Sequence, residues 1–231
     1  MLHRPPTDFG LYVMLLSAGY FLGNLFVSWR ARTLDMARTA RIGTLLQAGS
    51  AVLFDDGETV ALLFTAAGRR DAAPSFEQRL FMARGQLGPD GPADWQSTEE
   101  IVKADGLRYT IARESDGQPG LIKAFRDPAW FRDPASGQRH VLFTGSAAWS
   151  DDEYNGVIGI ATRGDDGSWR LGDPLVEAVG VNNELERPHV LVRGGLYYLF
   201  WSTQRRTFSP GPASGPNGLY AMVAEQLAGP W

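Results

Sequence analysis

Two short segments of the sequence place carboxylates directly beside arginines. In the first, Asp127 follows Arg126, and in the second, Glu184 and Glu186 come just before Arg187. Carboxylates gathered around one pocket suit the cleavage of a glycosidic bond, because one can stay ionised as nucleophile or charge stabiliser while another donates a proton to the leaving oxygen. A neighbouring arginine can bind sugar hydroxyls and lower the pKa of a carboxyl group, which keeps that group ionised.

Each segment also has a plainer interpretation. Asp followed by Pro commonly starts a turn, and the Arg-Asp-Pro motif of residues 126–128 occurs again at residues 132–134. The second copy falls where a hairpin turn is expected, and we predict that it is only a turn. Residues 184–187 would equally suit a solvated charged loop. The choice depends on whether the fold brings Asp127 and Glu186 together.

A repeated pattern of strands provides a reason for the two segments to meet. Three hairpins each place two apolar strands around a polar turn, and each is followed by a third short strand and then a tryptophan. The hairpins cover residues 51–65, 129–144 and 189–201, the third strands cover residues 80–83, 157–161 and 219–223, and the tryptophans are Trp95, Trp169 and Trp231. Two copies continue into a fourth strand, over residues 95–102 and 169–176. Repeated units of four antiparallel strands are typical of propeller blades, with a β-sandwich as the alternative.

The predicted fold is therefore all-β, a β-propeller of which this chain covers about three blades. The first strand of each blade lines the central channel, so the residues just ahead of the three first strands should surround one pocket. These are residues 47–50, 125–128 and 184–189. Because propellers close with about 4 to 8 blades, either the N-terminal segment supplies further strands or the chain is a fragment, and we favour the fragment.

The composition narrows the partners and cofactors. The chain has 231 residues, of which 44% are hydrophobic and 21% are charged, as in ordinary folded proteins. Its formal net charge of −4 argues against nucleic acid as a partner, because phosphate binding needs concentrated Lys and Arg. With no cysteine, three histidines and no nucleotide-binding fingerprint, the sequence predicts no cofactor. No carboxylate cluster typical of a metal site is recognisable.

Residues 1–44 form an atypical apolar N-terminal segment, and residues 45–231 form the predicted propeller domain. Within the first segment, residues 9–29 are mostly apolar and are followed by several arginines. This run is long enough to span a bilayer, so membrane contact is predicted only here, and a pair of buried strands is the alternative. A signal peptide fits poorly, because its positive charges precede the apolar run instead of following it.

Several blocks of residues resemble the levansucrase and inulosucrase family, glycoside hydrolase family 68, and particularly its Gram-negative bacterial branch. In chain order the blocks are Ala104-Asp-Gly-Leu107 with Tyr109, Phe125-Arg-Asp-Pro128, Glu186-Arg-Pro-His-Val190, Tyr197-Tyr-Leu-Phe200, Arg206-Thr-Phe208 and Gly215-Pro-Asn-Gly-Leu-Tyr220. Their order and approximate spacing also agree with the family. The resemblance extends over residues 45–231.

The resemblance implies a five-bladed β-propeller that transfers the fructosyl group of sucrose, with retention, to fructan, another sugar or water. Asp127 resembles the family's transition-state stabiliser and Glu186 its general acid/base. Arg187 and Glu184 resemble residues that shape the fructosyl pocket, with Arg126 beside them as a sugar-binding group. Retention implies a covalent fructosyl-enzyme, and therefore a third carboxylate as nucleophile. The implied partners are sucrose and fructan or sugar acceptors, and the implied location is extracellular or periplasmic.

The family's nucleophile motif is missing. Family members carry it in Trp-Asp-x-Trp-Pro, which does not occur here, and Asp8 is the nearest N-terminal candidate. A pocket tryptophan and a supporting serine of the family fall on Gln47 and Ala48, and a basic residue falls on Gln204. We therefore expect a fructosyltransferase that is impaired in this chain, with a non-catalytic sugar-binding relative as the alternative. A hydrolase of the invertase or arabinan-degrading type is a third possibility, against which Glu-Arg-Pro-His argues.

Overall fold

The computed structural model describes residues 49–68, 75–88, 91–96, 98–112, 123–212 and 214–231. The predictions for residues 1–44, and those for Asp8, Gln47 and Ala48, lie outside these ranges. Over the described ranges the chain forms thirteen strands in antiparallel sheets and one 3-10 helix at Arg205–Thr207. No helix among these residues is long and apolar enough to cross a membrane. The all-β prediction is confirmed.

The first sheet contains β1 (Gly49–Leu53), β2 (Thr59–Ala67), β3 (Gln78–Gly88), β4 (Gly91–Ala93) and β5 (Glu99–Lys103). The first three strands pair in chain order, as the hairpin and third strand predicted. In place of the fourth strand predicted at residues 95–102 there are two short strands, of which only β5 falls within the predicted range: β4 pairs with the end of β3 and β5 pairs with its start. Asp94, with φ of 50°, interrupts the extended backbone between the two pieces.

The second sheet contains β6 (Phe125–Arg132), β7 (Arg139–Ser146), β8 (Gly156–Arg163), β9 (Trp169–Leu171) and β10 (Val176–Glu177). Strands β6, β7 and β8 pair in chain order, and β9 and β10 both pair with β8. The fourth strand predicted at residues 169–176 is therefore also present in two pieces. Pro174 lies between them, and its missing N–H cannot donate to the ladder.

The third sheet contains β11 (Glu186–Arg193), β12 (Leu196–Thr203) and β13 (Gly218–Ala224), again paired in chain order. It reproduces the third predicted hairpin and its following strand. Each of the three sheets thus begins with an antiparallel hairpin and adds its next strand on the same side. This is the arrangement of successive propeller blades.

Adjacent sheets pack face to face because the strand residues alternate between the two faces of each sheet. Val141 and Phe143 of β7 are fully buried against the first sheet, in a cluster that contains Leu63 of β2. Leu142, between them, is fully buried on the other face, in a cluster with Leu199 of β12. The second sheet is therefore a middle blade, covered on both faces by its neighbours.

The second Arg-Asp-Pro copy is a turn, as predicted, and it also links two blades. Asp133 lies in the turn between β6 and β7, where its carboxylate accepts hydrogen bonds from the backbone N–H of Ala135 and from Ser136. Tyr197 of β12 donates its hydroxyl to the same carboxylate. Burial alone raises the pKa of Asp133, but the hydrogen bonds from Ser136 and Tyr197 outweigh it, so the pKa lies below its usual value.

Candidate active site

The first strands of the three sheets begin close together, and their first residues contain the predicted site. Ser50 of β1 donates its hydroxyl to the carbonyl of Pro128 in β6, at 2.9 Å. On the other side of β6, the backbone N–H of Arg187 in β11 lies 3.2 Å from Oδ2 of Asp127. The segments at residues 125–128 and 184–189 are therefore neighbours, although about 60 residues of chain separate them.

Arg126 stands at the centre of the three carboxylates. Its Nη2 lies 3.1 Å from Oε1 of Glu184 and 3.5 Å from Oε1 of Glu186, and its Nε lies 3.9 Å from Oδ2 of Asp127. All four side chains are at most about one-fifth exposed, so their charges interact in a medium less polarisable than water. One cation thus holds three negative groups in a single cluster.

Asp127 is held by Thr144 from the second strand of its own blade and by Thr65 from the second strand of the preceding blade. Thr144 of β7, fully buried, has its hydroxyl 3.1 Å from Oδ2 of Asp127 and 3.0 Å from the carbonyl of Leu185. The backbone N–H of Asp127 donates to Oγ1 of Thr65 in β2, at 3.0 Å. A hydroxyl beside the carboxylate and an acceptor for the backbone N–H therefore set the direction in which the carboxylate points.

Two site residues have left-handed backbone conformations that are unusual for side chains larger than glycine. The φ angle is 60° at Asp127 and 51° at Arg187. Each lies at an irregularity in strand pairing, between Arg126 and Ala129 in one strand and between Glu186 and His189 in the other. Bulges of this kind redirect side chains, and the strain is tolerated where the surrounding contacts enforce it. Here the bulges leave the Asp127 carboxylate beside Arg126 and direct the backbone N–H of Arg187 at that carboxylate.

We expect Arg187→Gly to give a more stable protein than Arg187→Ala, by about 1 kcal/mol. At an ordinary strand position glycine is the worse of the two, but φ of 51° suits glycine and strains alanine. Both variants keep the backbone N–H that binds Asp127 and both lose the guanidinium. Urea denaturation of the two variants measures the difference. Equal stabilities, or alanine ahead, would show that the left-handed backbone at this position carries no strain.

Glu184 is the most deeply buried member of the cluster, at 5% exposed. Burial raises its pKa above the usual value, and nearby Glu186 adds to that effect, while Arg126 and Arg206 oppose it. Glu186 is more accessible, with its side chain 15% exposed against 7% for Glu184. Glu184, the more buried of the two, is thus suited to fixing the position of Arg126, and Glu186 is suited to contacting a ligand.

The basic side chains at the edge of the cluster come from two elements. Arg187 is exposed, and its backbone contacts Asp127. The 3-10 helix at Arg205–Thr207 follows β12, and Arg206 acts on Glu184 through its charge. Gln204, onto which the family's basic residue falls, immediately precedes this helix. A positive charge therefore does reach the cluster from this helix, two positions beyond the expected one.

Sequence reasoning missed the hydroxyl groups that orient the site. Thr65 and Thr144 both follow a phenylalanine in the second strand of their hairpins, so the repeated Phe-Thr pair was an available signal. Threonine is common in strands for packing reasons alone. The repeated pair therefore indicates a site only once the structure shows that both hydroxyls contact Asp127. Ser50 was placed at the pocket by the repeat, but its contacts with β6 were not foreseen. Among the described residues, no group of three His, Cys, Asp or Glu is arranged to hold a metal ion.

Known proteins with similar sequences include levansucrases. The profile of the levansucrase/invertase family, glycoside hydrolase family 68, matches residues 150–231. A levansucrase (LscA) of Pseudomonas savastanoi pv. glycinea is 30% identical over 210 residues, which cover 80% of this chain and 48% of the relative. A levansucrase of Erwinia amylovora is 27% identical over 209 residues, with 80% and 48% covered. The chain spans about half the length of the curated relatives it matches.

Solved structures give the same picture of the fold. An inulosucrase from Halalkalicoccus jeotgali, solved with kestose bound, superposes with a TM-score of 0.68 and 41% identity, covering 79% of this chain and 48% of that one. A levansucrase from Gluconacetobacter diazotrophicus superposes with a TM-score of 0.63 at 22% identity, covering 77% and 44%, and supports the fold alone. The described sheets therefore correspond to consecutive blades of this kind of propeller.

Proposed function

Because this chain belongs to glycoside hydrolase family 68, as a part spanning about half of its relatives, we propose that it carries a sucrose-binding, fructosyl-transferring site. The observation that supports this most strongly is the cluster itself. Asp127, Glu184 and Glu186 come from the starts of two adjacent blades, and Arg126 lies within 3.9 Å of all three. Retaining glycoside chemistry requires closely spaced carboxyl groups, and a neighbouring cation can keep one of them ionised.

In the proposed reaction Glu186 donates a proton to the oxygen that joins glucose to fructose, and glucose leaves. A third carboxylate attacks the anomeric carbon of the fructosyl group and forms a covalent fructosyl-enzyme. Asp127, held by Thr144 and the N–H of Arg187, stabilises the positive charge that develops on the ring. Glu186 then takes a proton from the hydroxyl of water, a sugar or a fructan, and that oxygen displaces the carboxylate.

This sequence lacks the residues that usually supply the nucleophile, the third carboxylate, in the family. No Trp-Asp-x-Trp-Pro motif occurs in the 231 residues, and Gln47 and Ala48 stand where the family has a pocket tryptophan and a supporting serine. Removing a nucleophile from a two-step mechanism leaves little activity. We therefore propose that these 231 residues by themselves form an impaired transferase, and the same observation favours a second candidate, a sugar-binding relative without catalysis.

The purified chain is expected to bind sucrose saturably and to release glucose at no more than the background rate. Calorimetric titration measures the binding and a coupled glucose assay measures the release, with Glu186→Gln as the site variant. Glu177→Gln, at an exposed carboxylate in β10, is the matched control. Sustained glucose release that Glu186→Gln abolishes and Glu177→Gln preserves would contradict the impairment and require a substitute nucleophile. Absence of sucrose binding would contradict the proposed sugar site itself.

A further inference from the structure

The loop between β7 and β8 carries a large aromatic side chain at the same end of the blades as the carboxylates. We call this end, where β6 and β11 begin, the site face. Strand β7 runs toward the site face: its Thr144 contacts Asp127, and its last residue, Ser146, accepts the N–H of Ala124 just before β6. Trp149 follows three residues later, and half of its side chain is exposed.

The backbone on either side of Trp149 is firmly held. Ala147 is fully buried, its N–H donates to the carbonyl of Asn155, and its own carbonyl accepts a bond from the Asn155 side-chain amide. The N–H of Ala148 donates to the carbonyl of Arg108 at 3.2 Å. Large aromatic side chains are mostly buried in folded proteins. One that an anchored loop exposes to solvent is therefore typical of a binding surface.

A second loop, hydrogen-bonded to the first, extends the apolar surface. Its Thr110 donates its N–H to the carbonyl of Ser146, at 2.9 Å. The side chains of Leu107 and Ile111 in this loop are 75% and 42% exposed. We name Leu107, Ile111 and Trp149 the rim strip. Beside it, at the same end of the sheets, a cavity of about 260 Å³ is lined by Gln78, Lys103, Thr110, Ile111 and Phe125.

We propose that the rim strip binds the chain of a fructan oligosaccharide whose end occupies the carboxylate cluster. This inference rests on the proposed function of that cluster. Sugar rings have apolar C–H faces that pack on an aromatic ring and hydroxyls that need polar partners. Here Asp151 and Asp152, both exposed, follow Trp149 in the same loop, and the cavity adds the polar groups of Gln78 and Thr110.

The position and the charge favour a sugar chain over other occupants. The strip spans two loops on the site face, and the cavity beside it reaches Phe125, the residue before Arg126, so we expect an extended ligand to contact both the strip and the cluster. Its nearest acidic groups discourage phosphate-bearing polymers. A second copy of the chain is the main competing occupant, and its binding depends on protein concentration, whereas oligosaccharide binding does not.

Trp149→Ala is expected to weaken binding of an inulin-type oligosaccharide about tenfold while leaving sucrose binding unchanged. Trp95→Ala is the matched control: Trp95 is 41% exposed, but it packs against Gly85, near the end of β3 that lies away from the site face. Calorimetric titration of the full chain with each sugar measures the effect, and light scattering measures its oligomeric state.

Tenfold weaker oligosaccharide binding by Trp149→Ala, with Trp95→Ala binding like the unmodified chain, supports oligosaccharide binding at the rim strip. If sucrose does not bind in the same experiment, only the proposed sucrose site is contradicted. Oligosaccharide affinity that is unaffected by Trp149→Ala overturns the inference, as does an equal loss in both variants. A concentration-dependent dimer that Trp149→Ala dissociates also overturns it, because the strip would then be a contact between copies.

Discussion

Replacing Arg126 with alanine is expected to lower the free energy of unfolding by about 3 kcal/mol or more at neutral pH. The guanidinium is the cation that lies within 3.9 Å of all three carboxylates, and its own side chain is only 17% exposed. Without it, the buried Glu184 and the partly buried Glu186 repel each other with no cation between them. Removing one partner of a buried ion pair costs far more than the pair contributes, since the remaining charge stays desolvated.

The loss in Arg126→Ala should shrink as the pH falls from 7 toward 5. Burial already raises the pKa of Glu184 in the folded protein, and Arg126 opposes that effect. In the variant the pKa of Glu184 rises further. A carboxyl group with a folded pKa above its unfolded value destabilises the fold when it is ionised, and this penalty disappears below the unfolded pKa. Urea denaturation at both pH values measures the change.

The second Arg-Asp-Pro motif supplies the control for this experiment. Arg132 pairs with Asp55, but both side chains are exposed, at 52% and 87%, so Arg132→Ala should cost at most about 1 kcal/mol. Its effect should also be nearly the same at pH 7 and pH 5. If the two alanine variants lose similar stability, or if Arg126→Ala is no less destabilised at pH 5, the central role given to Arg126 is wrong.

The strands and the meeting of the two carboxylate segments could be predicted because both depend on local patterns. Alternating apolar residues around Asp- and Gly-containing turns specify hairpins, and repetition specifies blades. Asp127 and Glu186 then meet because both stand at the starts of first strands. The split fourth strands, in contrast, depend on Asp94 and Pro174, each of which acts on a ladder whose register is set by other strands.

The orientation of the site could not be predicted, because it depends on contacts across the fold. The left-handed backbone of Arg187 has no signature in the sequence, and aspartate, although it tolerates this conformation better than most residues, does not specify it at position 127. The conformation of Asp127 persists because Thr65 and Thr144, on the second strands, bond to Asp127, and that of Arg187 is held by its N–H, which donates to the Asp127 carboxylate. The strained positions are thus the ones nearest to the chemistry, as expected where local preference yields to function.

The core beneath the site leaves no space for a side chain at Gly159. Gly159→Ala should therefore lower the free energy of unfolding by about 3 kcal/mol. Gly159 of β8 pairs directly with Phe143 of β7. A Cβ added there would overlap the Phe143 ring and come within 2.8 Å of the Tyr109 ring. Neither ring has room to move, because both are fully buried and their centroids are 4.9 Å apart.

The hydroxyl of Tyr109 also prevents its ring from retreating. It donates to the carbonyl of Gly172 at 2.8 Å and lies 3.4 Å from the backbone N of Ile160. A methyl group at position 159 must therefore either separate β7 from β8 or break these bonds. For a chain of this size, 3 kcal/mol corresponds to a fall in melting temperature of about 10 °C, which circular dichroism on heating measures alongside urea denaturation.

Two further variants separate this overlap from the general cost of replacing a glycine. Gly137, at φ of 72° in an open turn with nothing within 4 Å of its added Cβ, should lose only about 1 kcal/mol when changed to alanine. Phe143→Leu combined with Gly159→Ala removes the overlapping ring atoms, so the double variant should be more stable than the sum of the two single losses predicts. Strict additivity of the two, or a Gly159→Ala loss no larger than that of Gly137→Ala, would show that the ring does not occupy the space beside Gly159.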